Sequence, residues 1–272
     1  MLDLYDKSSF TVKFTHVSED EEAEAYVVSK VIVHPEFDLN TLKNDIGLLI
    51  LEKKVPDDVA SVIKIYNDKV DNDALITAAG FGLTDPKNSS SIATDLMEVD
   101  LKLGTDDYCK GIYANYDSKY LLCTDGTAGK DTCGGDSGGP LITPIDSDGN
   151  VALLGSTSFA PITDLNPDGF CAQAGSSGYY VHLDAYLPWI TKESGLNVDK
   201  ITISNSTAAN EKDSDDDTDN DTEDDAEDDA DDKIENKTED TDSIVTPNAG
   251  AILHATSVYI VVLGAITSSI FF

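Results

Sequence analysis

Residues 133–140 read CGGDSGGP, a serine set among glycines with an aspartate before it and a proline after. A serine hydroxyl is a weak nucleophile. To attack a carbonyl it needs a base to take its proton, a partner that orients that base, and donors aimed at the oxyanion that forms. Gly135 and Ser137 can turn two backbone N–H groups the same way, because glycine permits the tight turn and leaves room for a substrate carbonyl. A lone G-x-S-x-G arises often by chance, whereas the full eight-residue run is far more specific. The chemistry it points to is acyl transfer at Ser137.

Presenting such a serine takes a rigid frame, and the pattern through residue 187 supplies one. FTVKF (10–14), AYVVSKVIV (25–33), IGLLIL (46–51), ALITAAGFG (74–82) and MEVDLKL (97–103) read as strands, by alternation or as short buried apolar runs. LLC (121–123), PLIT (140–143), VALLGSTSF (151–159) and GYYVHL (178–183) read the same way. Amphipathic helix is nearly absent before AYLPWITKESG (185–195), where Pro188 fits an early helical position and Gly195 a cap. Many short strands with one terminal helix argue for an all-β barrel or sandwich, and periodicity alone does not choose between them. No internal repeat is visible.

CGGDSGGP resembles the nucleophile loop of the trypsin and chymotrypsin family of serine endopeptidases, in which serine, histidine and aspartate together carry out acyl transfer. The likeness extends along about residues 8–196. HPEFDLNTLKNDIGLLIL (34–51) is similar to the family stretch that carries the buried triad aspartate, which puts that role on Asp45. YCKGIYANYDSKYLLCTDG (108–126) resembles the cysteine-bounded loop before the specificity pocket. TSF (157–159) and CAQAGSSGYYVHLDAYLPWI (171–190) resemble the pocket wall and the terminal helix. The resemblance implies a double six-stranded antiparallel β-barrel, here with the first barrel incomplete, and one C-terminal helix.

It also implies roles. Ser137 attacks the scissile carbonyl, Asp45 orients the base, and the N–H groups of Gly135 and Ser137 bind the oxyanion. Asp131, six residues before the nucleophile, takes the base of the primary pocket, where a carboxylate pairs with Arg or Lys of the substrate. Ser158 and Phe159 line the strand that pairs with the substrate backbone, and Gly178 keeps one pocket wall open. The family usually has tryptophan in place of Phe159 and glycine in place of Ala160, so a methyl narrows the pocket mouth, and residues 161–170 lengthen the loop beside it. Four cysteines allow three pairings. The family pattern selects Cys109 with Cys123 and Cys133 with Cys171; the spacings do not suggest a metal site. In the family the carboxylate at Asp136 pairs with a new amino terminus after zymogen cleavage, and this chain has no recognisable activation site to provide it.

The family order along the chain is histidine, aspartate, serine. The chain's histidines are His16, His34, His182 and His254, and none lies in a motif similar to Thr-Ala-Ala-His-Cys. His34 matches the family's surface His-Pro turn, His16 reads as a loop residue, His182 lies in the last strand and His254 in the tail. The expectation is therefore a domain truncated at its amino terminus, an incomplete gene product inactive as it stands for want of the general base. The alternative is a catalytically inactive homologue acting as a surface binding module. The first residues, MLDLYDKSSFTVKFTHVSEDEE, have neither the basic nor the apolar region of a signal peptide.

Composition divides the rest. Lys and Arg number 18 against 52 Asp and Glu, a net charge of −34. Residues 211–242 hold nineteen acids and three lysines, a net of −16, which leaves −18 for the remainder. Such a chain repels nucleic-acid phosphates and anionic surfaces, and the charge also keeps a secreted protein soluble. Residues 1–197 form the expected globular domain and 198–247 an acidic stalk without core-forming residues. Residues 248–272 are an apolar tail opening on Asn248, Ala249 and Gly250 with no basic residue after it. That pattern matches a glycosylphosphatidylinositol anchor signal ahead of an ordinary transmembrane helix. Sequons at Asn88, Asn205, Asn220 and Asn236, and an even cysteine count, agree with an extracellular, cell-surface, membrane-tethered glycoprotein. The expected partners are protein or peptide substrates with Arg or Lys, with no cofactor and a monomeric domain.

Overall fold

The computed structural model describes residues 7–14, 23–71, 74–127, 129–146, 149–164 and 166–204. Among them the chain runs β1 (Thr11–Lys13), β2 (Ala25–Val33), β3 (Gly47–Leu51), β4 (Ile65–Tyr66), β5 (Leu75–Gly80) and β6 (Met97–Lys102). It continues through α1 (Asp106–Ile112), β7 (Leu121–Cys123), β8 (Pro140–Pro144), β9 (Val151–Phe159) and β10 (Tyr179–His182), and closes with α2 (Leu187–Ser194), α3 (Val198–Ile201) and β11 (Thr202–Ile203). The fold is all-β, as expected. All nine expected strands form, within two residues of their expected ends.

The strands fall into two sheets. The first has the order β1-β2-β3, antiparallel, with Val12 opposite Tyr26 and Ile32 opposite Leu48. The second has the order β11-β4-β9-β8-β5-β6, with β10 bridging β7 and β9. Alternation explains its interior: along β5, Ile76 and Ala78 are buried while Leu75 faces out, and they pack with Leu101, Leu141, Leu154 and Tyr180. β9 is buried on both faces from Leu154 to Ser158, because β8 and β10 flank it and other elements cover it.

A separate cluster joins the two halves. Ile46 and Leu48 of the first half meet Val181 of β10, Leu183 just after it and Ile190 of α2. Each such side chain contributes on the order of 1.5–3 kcal/mol on burial. The residue next to Ile46 is thereby held against the second sheet, and that residue is Asp45.

α2 starts with Pro188 in its first turn and ends on Gly195 at φ 73°, whose N–H bonds to Thr191 O at 2.8 Å, as its sequence signals. α1 is an additional helix, absent from the expected elements: Thr105 caps it by accepting from Tyr108 N, and Asp106 and Asp107 fill its first turn. Packed structure also continues past residue 197, since β11 pairs with β4 and Ile201 and Ile203 are buried. The rest of the expected stalk, beyond residue 204, the apolar tail, His16 and His254 lie outside the described residues, as do Asn205, Asn220 and Asn236. No helix among the described residues is long and apolar enough to cross a membrane.

Candidate active site

The CGGDSGGP loop is a chain of short-range bonds anchored on β9. Asp136 N donates to Cys133 O at 3.0 Å and Gly139 N to Asp136 O at 2.9 Å, closing successive turns. Gly138 N then donates to Thr157 O, and Thr157 N to Gly139 O, both at 2.9 Å. The path needs its glycines: Gly135 has φ 103° and Gly138 φ 85°, where a side chain is strained, and a Cβ on Gly139 would stand 2.8 Å from Asp136 O. Ser137 is partly exposed.

Asp45 arrives from the other half. It follows a turn in which Leu42 and Asn44 take positive φ, of 51° and 55°. The turn is pinned by Asn44 Nδ2 donating to Glu36 O, Tyr186 Oη to Asn44 Oδ1, and Tyr113 Oη to Thr41 O at 2.6 Å. Asp45 is 3% exposed, and Ser158 Oγ donates to its Oδ2 at 2.6 Å. Adjacent residues of β9 therefore hold both parts: Thr157 grips the Ser137 loop and Ser158 grips Asp45.

Neither described histidine shares this place. The His34 ring packs on Trp189, 5.0 Å between centroids, and edge-on to Tyr186, while its Nδ1 accepts from Glu36 N. Burial holds its pKa below the ordinary value. In His182 both ring nitrogens are buried without a well-formed hydrogen bond among the described residues, and burial again lowers the pKa, against weaker opposing influences of Asp184 and nearby backbone.

Asp131 lies beneath the loop. Its Oδ1 accepts from Thr132 N at 2.9 Å and its Oδ2 from Ser176 Oγ at 2.5 Å, with Ala172 N farther off at 3.4 Å. Burial raises its pKa, against these bonds. Gly178 is close above: a Cβ there would stand 2.9 Å from both Asp131 Oδ1 and Tyr180 Oη. Phe159 stacks on Tyr179 at 5.0 Å and 10°, with Tyr113 against its edge. Ala160 is exposed, and the loop after it folds on itself through Asn166, which is buried and donates to Phe170 O at 2.7 Å. Ser176 and Thr132, whose hydroxyl meets Tyr180 Oη at 3.0 Å, belong to this site and carry no linear signal.

Asp136 is turned toward Gly80 and Gly82. Its two oxygens accept from Gly82 N and Cys133 N, each at 2.8 Å, and burial raises its pKa. Gly80 and Gly82 leave the space its carboxylate fills. Beside it opens a cavity of about 220 Å³ bordered by β5, β6, residues 131–133, Asp136 and residues 171–172. Asp131 also borders that cavity, whereas Ser158, Phe159, Ala160 and Gly178 do not.

The two disulfides pair as expected. Cys109–Cys123 ties α1 to β7, and Cys133–Cys171 ties the Ser137 loop to the segment that reaches Asp131. The described residues hold no cluster of His, Cys, Asp and Glu suited to a metal.

The frame is all-β, with Ser137 presented among glycines and Asp45 buried and bonded from β9. The trypsin family model matches residues 4–190, and the chain belongs to that family. It is 31% identical to a renal glandular kallikrein of Mastomys natalensis, over 63% of this chain and 66% of that one. Serine protease 1 of Drosophila melanogaster is 30% identical, over 61% and 59%. A trypsin of Saccharopolyspora erythraea is 31% identical, over 58% and 63%. The chain thus spans less than two thirds of the length of these curated relatives.

Proposed function

We propose that this protein is a serine endopeptidase that cleaves after Arg or Lys. The observation that carries the reading is the shared anchorage on β9, which brings Asp45 and the Ser137 loop to neighbouring residues of one strand. Ser137 Oγ attacks the scissile carbonyl and passes its proton to a histidine that Asp45 orients. The N–H groups of Gly135 and Ser137 receive the oxyanion. Collapse expels the amine, which takes the proton from the histidine, and water then releases the acyl group from Ser137 by the same route in reverse. The base is a histidine other than His34 and His182, both of which are packed elsewhere.

Asp131 supplies the carboxylate for the basic side chain, Gly178 the open wall, and Ser158, Phe159 and Ala160 the strand along which the substrate backbone lies. The Asp136 cavity is where the family resemblance would seat an α-ammonium. Residues 205–247 serve as an acidic stalk, 248–272 as a lipid-anchor signal, and the domain works as a monomer at the cell surface. Asn88, exposed in the turn at 85–91, carries one of the glycans.

Binding of p-aminobenzamidine, an Arg mimic, tests the pocket without requiring turnover. Saturable one-site binding that Asp131→Asn abolishes supports the reading; binding indifferent to that change sinks it. The packing of both described histidines away from Ser137 favours one second reading, an inactive homologue that keeps a ligand-binding pocket. Such a protein would bind the amidine and leave Ser137 unreactive.

A further inference from the structure

Ser176 is placed as a structural part of the pocket floor. It is 2% exposed, its N–H donates to Gln173 O at 2.9 Å, and a Cβ on Gly126 would stand 2.6 Å from its carbonyl oxygen. With its backbone fixed on both sides, its hydroxyl has a defined position 2.5 Å from Asp131 Oδ2. Thr132 N fixes the other oxygen. A carboxylate has about four acceptor directions. One short donor on each oxygen therefore sets the carboxylate's rotation and still leaves lone pairs for a two-pronged cation.

We propose that Ser176 is a positioning residue of the specificity pocket, whose hydroxyl sets the rotation of the Asp131 carboxylate and keeps it charged for a substrate guanidinium or ammonium. This rests on reading Asp131 as the carboxylate that receives Arg or Lys. The groups facing Asp131 make such help necessary. Asp136 is a like charge, Tyr108 and Tyr180 are neutral phenols, and the Lys130 ammonium is engaged with Asp100 O at 3.2 Å. Against burial, only the Ser176 hydroxyl and the N–H groups of Ala172 and Thr132 favour the charged form. Ser176 is the one side chain among these three donors.

The test is fluorescence titration of the full 272-residue chain with p-aminobenzamidine between about pH 4 and 8. Binding needs ionised Asp131, so it falls as pH drops through that group's pKa. Ser176→Ala should move this acidic midpoint upward and weaken binding roughly tenfold below it, the size of a lost hydrogen bond to a charged group. Ser176→Gly deletes the same hydroxyl and should shift the midpoint alike, which keeps the test open if the alanine variant fails to fold. Ser176→Thr should keep the native midpoint. Ser177→Ala, which loses a bond to Thr124 O instead, should leave it unmoved. An unchanged midpoint in the hydroxyl-deleted variant, with the native chain binding normally, overturns the role of Ser176 alone. Absence of binding by the native chain at every pH overturns the pocket reading and the Ser176 role with it.

Discussion

Ser158 Oγ lies 2.6 Å from Asp45 Oδ2, a contact between residues 113 apart in the chain and buried from solvent. A carboxylate that is 3% exposed needs hydrogen bonds to remain charged, and the seryl hydroxyl supplies one of them. Ser158→Ala should cost about 1.5–3 kcal/mol of unfolding free energy, as expected for a lost hydrogen bond to a buried charge. Urea denaturation at neutral pH measures it. A change within a few tenths would mean that the hydroxyl does not support Asp45.

Gly178→Ala should close the pocket from its wall. The added methyl would meet Asp131 Oδ1 and Tyr180 Oη at 2.9 Å, closer than carbon tolerates. Since Tyr180 is fully buried, it has little room to yield. The expected outcome is a stability loss of about 1–3 kcal/mol with much weakened amidine binding. Retention of native affinity would place the cation elsewhere.

Asp131→Asn should separate stability from function. Burial raises the pKa of Asp131, so the folded state holds the carboxyl proton more tightly than the unfolded chain does. That contribution is fully present below the unfolded value and is lost as pH rises through the folded one, which leaves the charged group a burden at neutral pH. The amide removes the burden: its oxygen can take Thr132 N, and its NH₂ can donate to Ser176 Oγ. Thermal melting at neutral pH should therefore rise by a few degrees, with the gain shrinking as pH falls through the folded pKa. A lower melting temperature at neutral pH would show the carboxylate to be stabilising where it sits.

The disulfides should differ in weight. Cys133–Cys171 closes a separation of 38 residues and Cys109–Cys123 one of 14. Loop-closure entropy gives about 4 kcal/mol for the first and about 3 for the second. Paired alanine variants should follow that order in denaturation, and loss of Cys133–Cys171 should also weaken amidine binding, because it braces the segment holding Ala172 and Ser176 near Asp131. Equal affinity in that variant would argue that the pocket floor is held by other contacts.

Much of this frame is legible in residue order, and the reasons it is not elsewhere are physical. The nine expected strands carry a two-residue alternation or a buried apolar run that persists for several residues. β4, α3 and β11 are too short for any periodicity, and β4 and β11 exist because they pair with strands far away in sequence. α1 does leave a signal, the Thr105-Asp106-Asp107 cap, although its seven residues are too few for an amphipathic stripe. At the site, Ser137 announces itself through its glycines. Asp45, Asp131 and the cysteine pairs are reached through family likeness, since nothing in a linear pattern ties residue 45 to 158. Ser176 is hidden for the same reason: a serine in AQAGSSG has no mark of the carboxylate 45 residues earlier that it meets.

Chemical reactivity at Ser137 decides whether this protein is an enzyme that selects basic side chains. The native protein, isolated from the cells that make it, should be treated with an amidine-bearing phosphonate and its adduct mapped by mass spectrometry. The expected result is a single phosphonyl group on Ser137 whose formation benzamidine blocks. A protein that binds benzamidine yet carries no adduct on Ser137 would contradict the claim.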